Sequence, residues 1–223
     1  MKRVTLLLGL CLSSVASAQI APSPAEIGDY SGLHAAVQAG DVVHLEELVA
    51  TKTDLNQRDG NGRTAVHIAA FASHEAILRV LAKAGADMNA LDNQVYDAVT
   101  IAAVANDPEL MSVALELGNK ATNVTSIYDG TALIAAAHLG HDEVVRRLIA
   151  AGAPLNHVNN LGWTALIEAV ILGDGGPRHI ATVKALVTAG ADISLADRSG
   201  VTPLEHAQSR GYDDMAAIIS PAQ

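Results

Sequence analysis

The sequence is poor in aromatic residues and contains a single cysteine. Aromatic residues make up 3% of the 223 positions, although half of all residues are apolar. The apolar content is therefore mainly aliphatic, which suits thin helices that pack closely together. Because Cys11 has no second cysteine to pair with, we expect neither an internal disulfide nor a cysteine-based metal centre.

Long hydrophobic runs and basic residues are also scarce. After residue 18 there is no stretch of 18 apolar residues, so we expect no later membrane-spanning helix. The chain carries 14 Lys and Arg against 24 Asp and Glu, which gives a net charge of −10. An acidic surface repels phosphate backbones, which makes nucleic acid a poor candidate partner.

The first 18 residues match the pattern of a secretory signal. A basic start at residues 2 and 3 is followed by an apolar run over residues 4–12 and by small residues at 16–18. We expect cleavage between Ala18 and Gln19, and a periplasmic or secreted protein without a membrane attachment. Retention of this segment as an uncleaved anchor is the alternative.

A six-residue block returns along the rest of the chain at a nearly fixed interval. It reads Thr-Ala-Val-His-Ile-Ala from Thr64, and related copies begin at Thr131, Thr164 and Thr202. The first two copies are 67 residues apart and the next two are 33 apart, so the period is about 33 residues. A fixed period of this size is typical of a stack of identical supersecondary units.

Each unit has the same internal order. A polar turn comes first, then the block and an Ala-rich helix, then a short break and a second helix. In the second unit the apolar pattern predicts this second helix over Glu75–Lys83. Glycines at 85, 118, 152 and 190 then occupy equivalent places, where a residue that tolerates the left-handed conformation ends a helix.

This pattern resembles the ankyrin repeat, and Leu33-His34-Ala35-Ala36 extends the likeness to the start of the array. The resemblance covers roughly residues 29–219. It implies an all-α ankyrin-repeat solenoid of about six helix–turn–helix units whose polar turns project as short β-turn fingers. The expected organisation is a signal at 1–18, an irregular linker at 19–28, and one domain at 29–220 with units at about 29–61, 62–94, 95–128, 129–161, 162–199 and 200–220.

In this family the fingers stand beside a concave groove formed with the first helices. Candidate partner-binding residues are the aromatic, basic and apolar side chains on or beside the fingers: Arg63, Tyr96, Tyr128, Leu161, Trp163 and Val201. At a helix-packing distance of about 8–10 Å per unit, the three aromatic side chains could form a ridge of roughly 20 Å. The other interpretation is that these rings cover neighbouring turns.

Two units depart from the period. The fifth carries five extra residues between its helices, within Gly173–His179. This segment is either a tolerated insertion or a flexible binding loop with Asp174, Arg178 and His179 as candidate contacts. In the third unit Asp97 replaces the block threonine, and the turn that follows, within Asn119–Gly130, has lost the usual Asp-x-x-Gly.

No pattern of catalytic residues stands out. His138 and His141 are three apart but lack a convincing third metal ligand, and no nucleophile elbow or phosphate loop is present. We therefore predict no catalytic residues, metal or cofactor, and a monomeric exported adaptor or stabilising partner that binds another protein. The alternatives are a self-assembling structural role, or a small-ligand or hydrolytic activity at residues 173–179.

Overall fold

The structure is a computed structural model that describes residues 19–220. The signal predicted at 1–18 lies outside the described residues. Within the described part, no helix is long and apolar enough to cross a membrane. The predicted all-α solenoid is confirmed, since helices account for nearly all of the regular structure.

Twelve helices form six consecutive pairs, one for each expected unit. The first helices of the pairs are α2 (Gly32–Gln38), α4 (Ala65–Phe71), α6 (Ala98–Ala105), α8 (Ala132–His138), α10 (Ala165–Ile171) and α12 (Pro203–Arg210). The second helices are α3 (Val42–Ala50), α5 (Glu75–Lys83), α7 (Pro108–Glu116), α9 (Asp142–Ala150), α11 (Pro177–Thr188) and α13 (Asp213–Ile219). The helix predicted over Glu75–Lys83 has the predicted bounds.

The helices form two layers, because each first helix packs on the next first helix and each second helix on the next second helix. Leu81, Ala114, Leu148 and Leu186, each four residues before a closing glycine, are all buried between these layers. Burial of one such leucine stabilises the fold by about 1.5–3 kcal/mol. The closing glycines at 85, 118, 152 and 190 have φ angles of 91°, 101°, 80° and 92°, in the left-handed region that ends these helices.

The block threonines cap the first helices. The Oγ1 atoms of Thr131 and Thr164 accept hydrogen bonds from the backbone N–H three residues later, at 3.3 and 3.2 Å. Asp97 takes over this role in the third unit, where its Oδ1 accepts the N–H of Thr100 at 2.8 Å. The replacement of threonine by aspartate therefore preserves the cap, which is worth about 1 kcal/mol.

Hydrogen bonds also join the fingers to one another. The backbone N–H of Asn93 donates to Asn61 O at 3.0 Å, and that of Asn160 donates to Tyr128 O at 2.9 Å. In the finger before α8, strands β1 (Val124–Thr125) and β2 (Gly130–Thr131) pair antiparallel. Ser126 Oγ accepts two backbone N–H groups there, in place of the missing turn aspartate.

Two expectations about local structure were wrong. The segment expected to be an irregular linker at 19–28 contains a short helix, α1 (Pro24–Asp29), which Ser23 and Glu26 cap reciprocally. The extra residues of the fifth unit do not form one long loop, because α11 begins at Pro177 and has 12 residues where α5, α7 and α9 have 9. Leu172–Gly176 remains as the break between α10 and α11.

His67 connects a helix cap to the next finger. Its Nδ1 accepts the backbone N–H of Thr64 at 3.0 Å, and its Nε2 donates to Tyr96 O at 2.9 Å. Both bonds require the neutral ring with its proton on Nε2. Burial lowers the pKa of His67 below its ordinary value of 6.5, and burial also lowers the pKa of His141.

These shifts predict a loss of stability in mild acid. The unfolded chain takes up protons near pH 6.5 while the folded chain resists them, so the stabilisation is complete above pH 6.5 and declines as pH falls towards the lowered folded pKa values. Between pH 7.5 and 5.5, we expect the free energy of unfolding to fall by up to about 1.4 kcal/mol per pH unit for each of the two histidines. Urea unfolding as a function of pH measures this slope.

The matched variants are His67→Gln, which should reduce the slope, and His44→Gln on the exposed side of α3, which should leave it unchanged. An equal slope in the wild type and in the His67 variant would contradict the role assigned to His67.

Candidate functional site: a cavity in the groove

A cavity of about 450 Å³ lies between the fingers and the first helices of the third, fourth and fifth units. The helices α6 and α8 contribute Val104 and Ile134 to its walls, and the fingers contribute Tyr96, Tyr128 and Trp163. Half of the six aromatic residues in the chain therefore meet at one place. We name this space the groove cavity.

The structure brings four of the predicted partner-binding residues together and leaves the others elsewhere. Tyr96, Tyr128, Leu161 and Trp163 line the groove cavity. The remaining candidates are outside its lining: Arg63, Val201, Asp174, Arg178 and His179. The candidates on the third to fifth fingers thus share one cavity, and the partner-binding role of all of them stays a prediction.

Tyr96 is a wall of the cavity rather than an exposed finger contact. It is only 8% exposed and packs within the apolar core, while its backbone carbonyl accepts the bond from His67. Burial raises the pKa of Tyr96, with smaller contributions from Asp92 and Tyr128. The three aromatic side chains thus enclose a space between units instead of standing as an exposed ridge, and a substitution of Tyr96 would disturb the core.

A single carboxylate lies in the lining of the groove cavity. Glu168, on α10, is 5% exposed. One of its oxygens accepts the side-chain amide of Asn159 at 2.8 Å, and the other lies 3.4 Å from His138 Nδ1. A carboxylate offers about four lone-pair sites, so these two neighbours leave it able to accept further hydrogen bonds.

An apolar rim of exposed side chains lies in the cavity lining or next to it in the sequence. Most of the large hydrophobic side chains that are exposed in the described chain belong to the third and fourth units: Val124, Ile127, Leu139, Val158 and Leu161. Ile127 is 56% exposed and Leu161 is 37% exposed. Clustered exposed apolar side chains mark interaction sites more often than scattered ones do.

Comparison with known proteins decides the family. The family model for ankyrin repeats (three copies) matches residues 7–92 and 99–197. This chain is an ankyrin-repeat protein. Ankyrin repeats are a protein–protein interaction module and are generally non-catalytic.

Similar proteins share both sequence and fold. The ankyrin repeat protein YahD of Escherichia coli is 33% identical over 188 residues, which cover 84% of this chain and 93% of YahD. An ankyrin repeat domain from Acinetobacter baumannii is 42% identical, with a TM-score of 0.79, and the match covers 84% of this chain and 95% of that domain.

A third likeness shows the fold alone. It is to a chain in the structure of the predatory endopeptidase Bd0816 from Bdellovibrio bacteriovorus in complex with the immunity protein Bd3460. The identity is 23% and the TM-score 0.71, and the match covers 87% of this chain and 99% of that one.

Glu168 was not among the residues predicted from the sequence, although it departs from the residue type that other units have at the same position of the block. Aligned on the block threonine, Glu168 stands where other units have Ile68 and Ala135. The last unit has His206 there, which pairs with Asp197 at 2.9 Å, so a polar side chain at this position can tie a finger to its helix. A charged residue at a position that is apolar in other units could have been identified by comparison of the copies.

Arg63, proposed as a partner-binding residue, is instead buried inside an ionic network. It is 1% exposed, and its Nε donates to Asp59 Oδ2 at 2.6 Å. Its other nitrogens bond to Glu26 and to Ile20 O, which fastens the segment before the first helix pair to the second finger. Each of the three guanidinium nitrogens of Arg63 therefore already has a hydrogen-bond partner within the protein.

Hydrogen bonds and ion pairs together lower the pKa values of Asp59 and Glu26. At Asp59 burial alone would raise the pKa, but hydrogen bonds from Tyr30 and Arg63 outweigh it and hold the pKa below its ordinary value. Hydrogen bonds from the side chain and backbone of Ser23, with help from Arg63, lower the pKa of Glu26 to about 2. Both carboxylates therefore remain charged at neutral pH.

His179, one of the candidates in the fifth-unit insertion, connects two neighbouring units. His179 Nε2 lies 3.0 Å from His138 O, as His141 Nδ1 lies 2.9 Å from Ala103 O one unit earlier. Asp174 lies beside His179 Nδ1 at 2.9 Å. Within residues 19–220, no group of three or more His, Cys, Asp or Glu side chains is placed to hold a metal ion.

The buried network predicts a large effect for Arg63→Met. This change keeps the apolar stem but leaves Asp59 buried without its cation, which should cost about 3 kcal/mol of unfolding free energy. Arg146→Met is the matched control, because Arg146 forms exposed pairs with Asp142 and Glu143 whose loss should cost less than about 1 kcal/mol. Urea unfolding compares the two, and equal losses would show that burial of the network contributes nothing.

Proposed function

We propose that this ankyrin-repeat protein is an exported, non-catalytic adaptor or stabilising partner that binds another protein through its groove and fingers. The observation that carries the proposal is the groove cavity together with its apolar rim. Both lie in the third to fifth units, on the finger side of the solenoid.

The chemistry of this surface favours a protein as the ligand. Aromatic and aliphatic side chains form the cavity walls, and Trp and Tyr are enriched among residues that dominate binding energy at protein interfaces. The cavity is built from helices and hydrogen-bonded fingers, so little conformational entropy would be lost when a partner binds. The Bdellovibrio structure, which is itself a complex of two proteins, agrees with this reading.

The net charge of the chain indicates which partner surfaces it would attract. The chain has a net charge of −10, so a basic or neutral surface would approach it faster than an acidic one. Removal of residues 1–18, which contain two basic and no acidic residues, would make the remaining chain more acidic still.

The first test removes the rim without touching the core. Ile127→Asp combined with Leu161→Asp places charges at the mouth of the groove cavity and should weaken partner binding by at least about 2 kcal/mol, roughly 30-fold. The partner is captured from a cell-envelope extract of the source organism, identified by mass spectrometry, purified and titrated against both proteins by calorimetry.

Val43→Asp is the matched control, since Val43 is 69% exposed on α3 and lies outside the cavity lining. It should leave binding and melting temperature unchanged. If the captured protein binds the rim variant as tightly as the wild type, the groove is not the binding surface.

Light scattering tests the second candidate, a self-assembling role. A concentration-dependent dimer that disappears in the rim variant but persists in the Val43 variant would assign the rim to a second copy of this chain.

Export has its own test. Full-length protein expressed in Escherichia coli should appear in the periplasmic fraction with Gln19 as its first residue, as determined by N-terminal mass spectrometry. Recovery of the intact chain from the cytoplasm would contradict the exported part of the proposal.

A further inference from the structure

Glu168 gives the groove cavity a charge that its apolar lining does not explain. Among the described residues that line the cavity, it is the one carboxylate, and neither lysine nor arginine is present. His138 is the other titratable side chain close to it, 3.4 Å from its carboxylate. A cationic ligand would therefore meet a carboxylate acceptor and no lysine or arginine side chain among the described lining residues.

The aromatic walls of the groove cavity also favour a cationic ligand. Tyr96, Tyr128 and Trp163 present π systems, and the faces of such rings attract ammonium and guanidinium groups. Because Glu168 is almost entirely buried, its charge acts in surroundings where electrostatic interactions are stronger than in water.

We propose that the groove cavity is a specificity pocket for one basic side chain, an arginine or lysine in an extended segment of the partner, with Glu168 as the acceptor of its charged end. The long apolar stem of such a side chain fits the apolar walls, and its polar tip fits the carboxylate. The volume of about 450 Å³ is sufficient for one large side chain. This inference rests on the proposed function, since it names the chemistry by which the groove would select its partner.

Asn159 and His138 hold the acceptor in place. The amide of Asn159, which itself organises the fifth finger through the N–H groups of Leu161 and Trp163, fixes one oxygen of Glu168. His138 lies beside the other oxygen. The position of the fifth finger and the position of the Glu168 carboxylate are therefore linked, so the carboxylate is already oriented before a ligand binds.

The single tryptophan provides a direct readout. Trp163 lines the cavity and is the only tryptophan in the chain, so its fluorescence reports occupancy without a label. The probes are four pools of short acetylated and amidated peptides with mixed Ala, Leu, Ser and Gly flanks. The central residue is arginine, lysine, citrulline or leucine, and citrulline has nearly the shape of arginine without its charge.

We expect the arginine or lysine pool to bind at least about tenfold more tightly than the citrulline and leucine pools. Glu168→Gln should remove this preference, because the amide keeps the shape and can still accept from Asn159 but carries no charge. Glu109→Gln on α7 removes one exposed negative charge outside the lining and should leave the preference intact.

Three results would overturn the proposal of a pocket for a basic side chain. Equal binding of the leucine and arginine pools, or a preference that survives in Glu168→Gln with an unchanged melting temperature, would overturn the basic-side-chain pocket while leaving apolar docking in place. If no pool changes the emission of Trp163, the pocket is also overturned. The rim variant then decides separately whether the groove binds a partner at all.

Discussion

Each helix pair of this solenoid can bury its apolar faces only against the pairs on either side, and the rest of the structure depends on that constraint. It explains why Leu81 and Leu148 recur at the same distance from a closing glycine and are both fully buried. It also explains the long-range hydrogen bonds between neighbouring units, such as that from His67 to Tyr96 O. These bonds fix the position of each finger, and hence the shape of the groove.

Stacking accounts for the positions at which the units agree, so functional information is concentrated where they differ. The third and fifth units depart from the period, and the groove cavity lies among the third, fourth and fifth units. Two differences work together there: aromatic residues replace other residues on the fingers, and Glu168 replaces an apolar residue on α10. The fifth-unit insertion is also a difference, but His179 occupies the inter-unit position that His141 holds one unit earlier.

Sequence reasoning performed well wherever a local rule applied. The helix over Glu75–Lys83 followed from its apolar periodicity, and the helix ends followed from the closing glycines. It failed at α1, where the prolines and glycine of residues 19–28 suggested an irregular segment. The local capping box of Ser23 and Glu26 was overlooked there, and the bond from Arg63 to Glu26 joins residues 37 apart in the sequence.

The sequence by itself determined the repeat, the family and the number of helix pairs, because period, caps and closing glycines are local properties that each unit carries in full. Only the tertiary structure decided which of the conspicuous side chains are available to a partner. Arg63 and Tyr96 look alike as finger contacts in the sequence, but Arg63 is buried in ion pairs with other residues, whereas Tyr96 forms a wall of the groove cavity that Glu168 also lines. The surroundings of a side chain depend on the neighbouring units in the stack, which the sequence of its own unit does not specify.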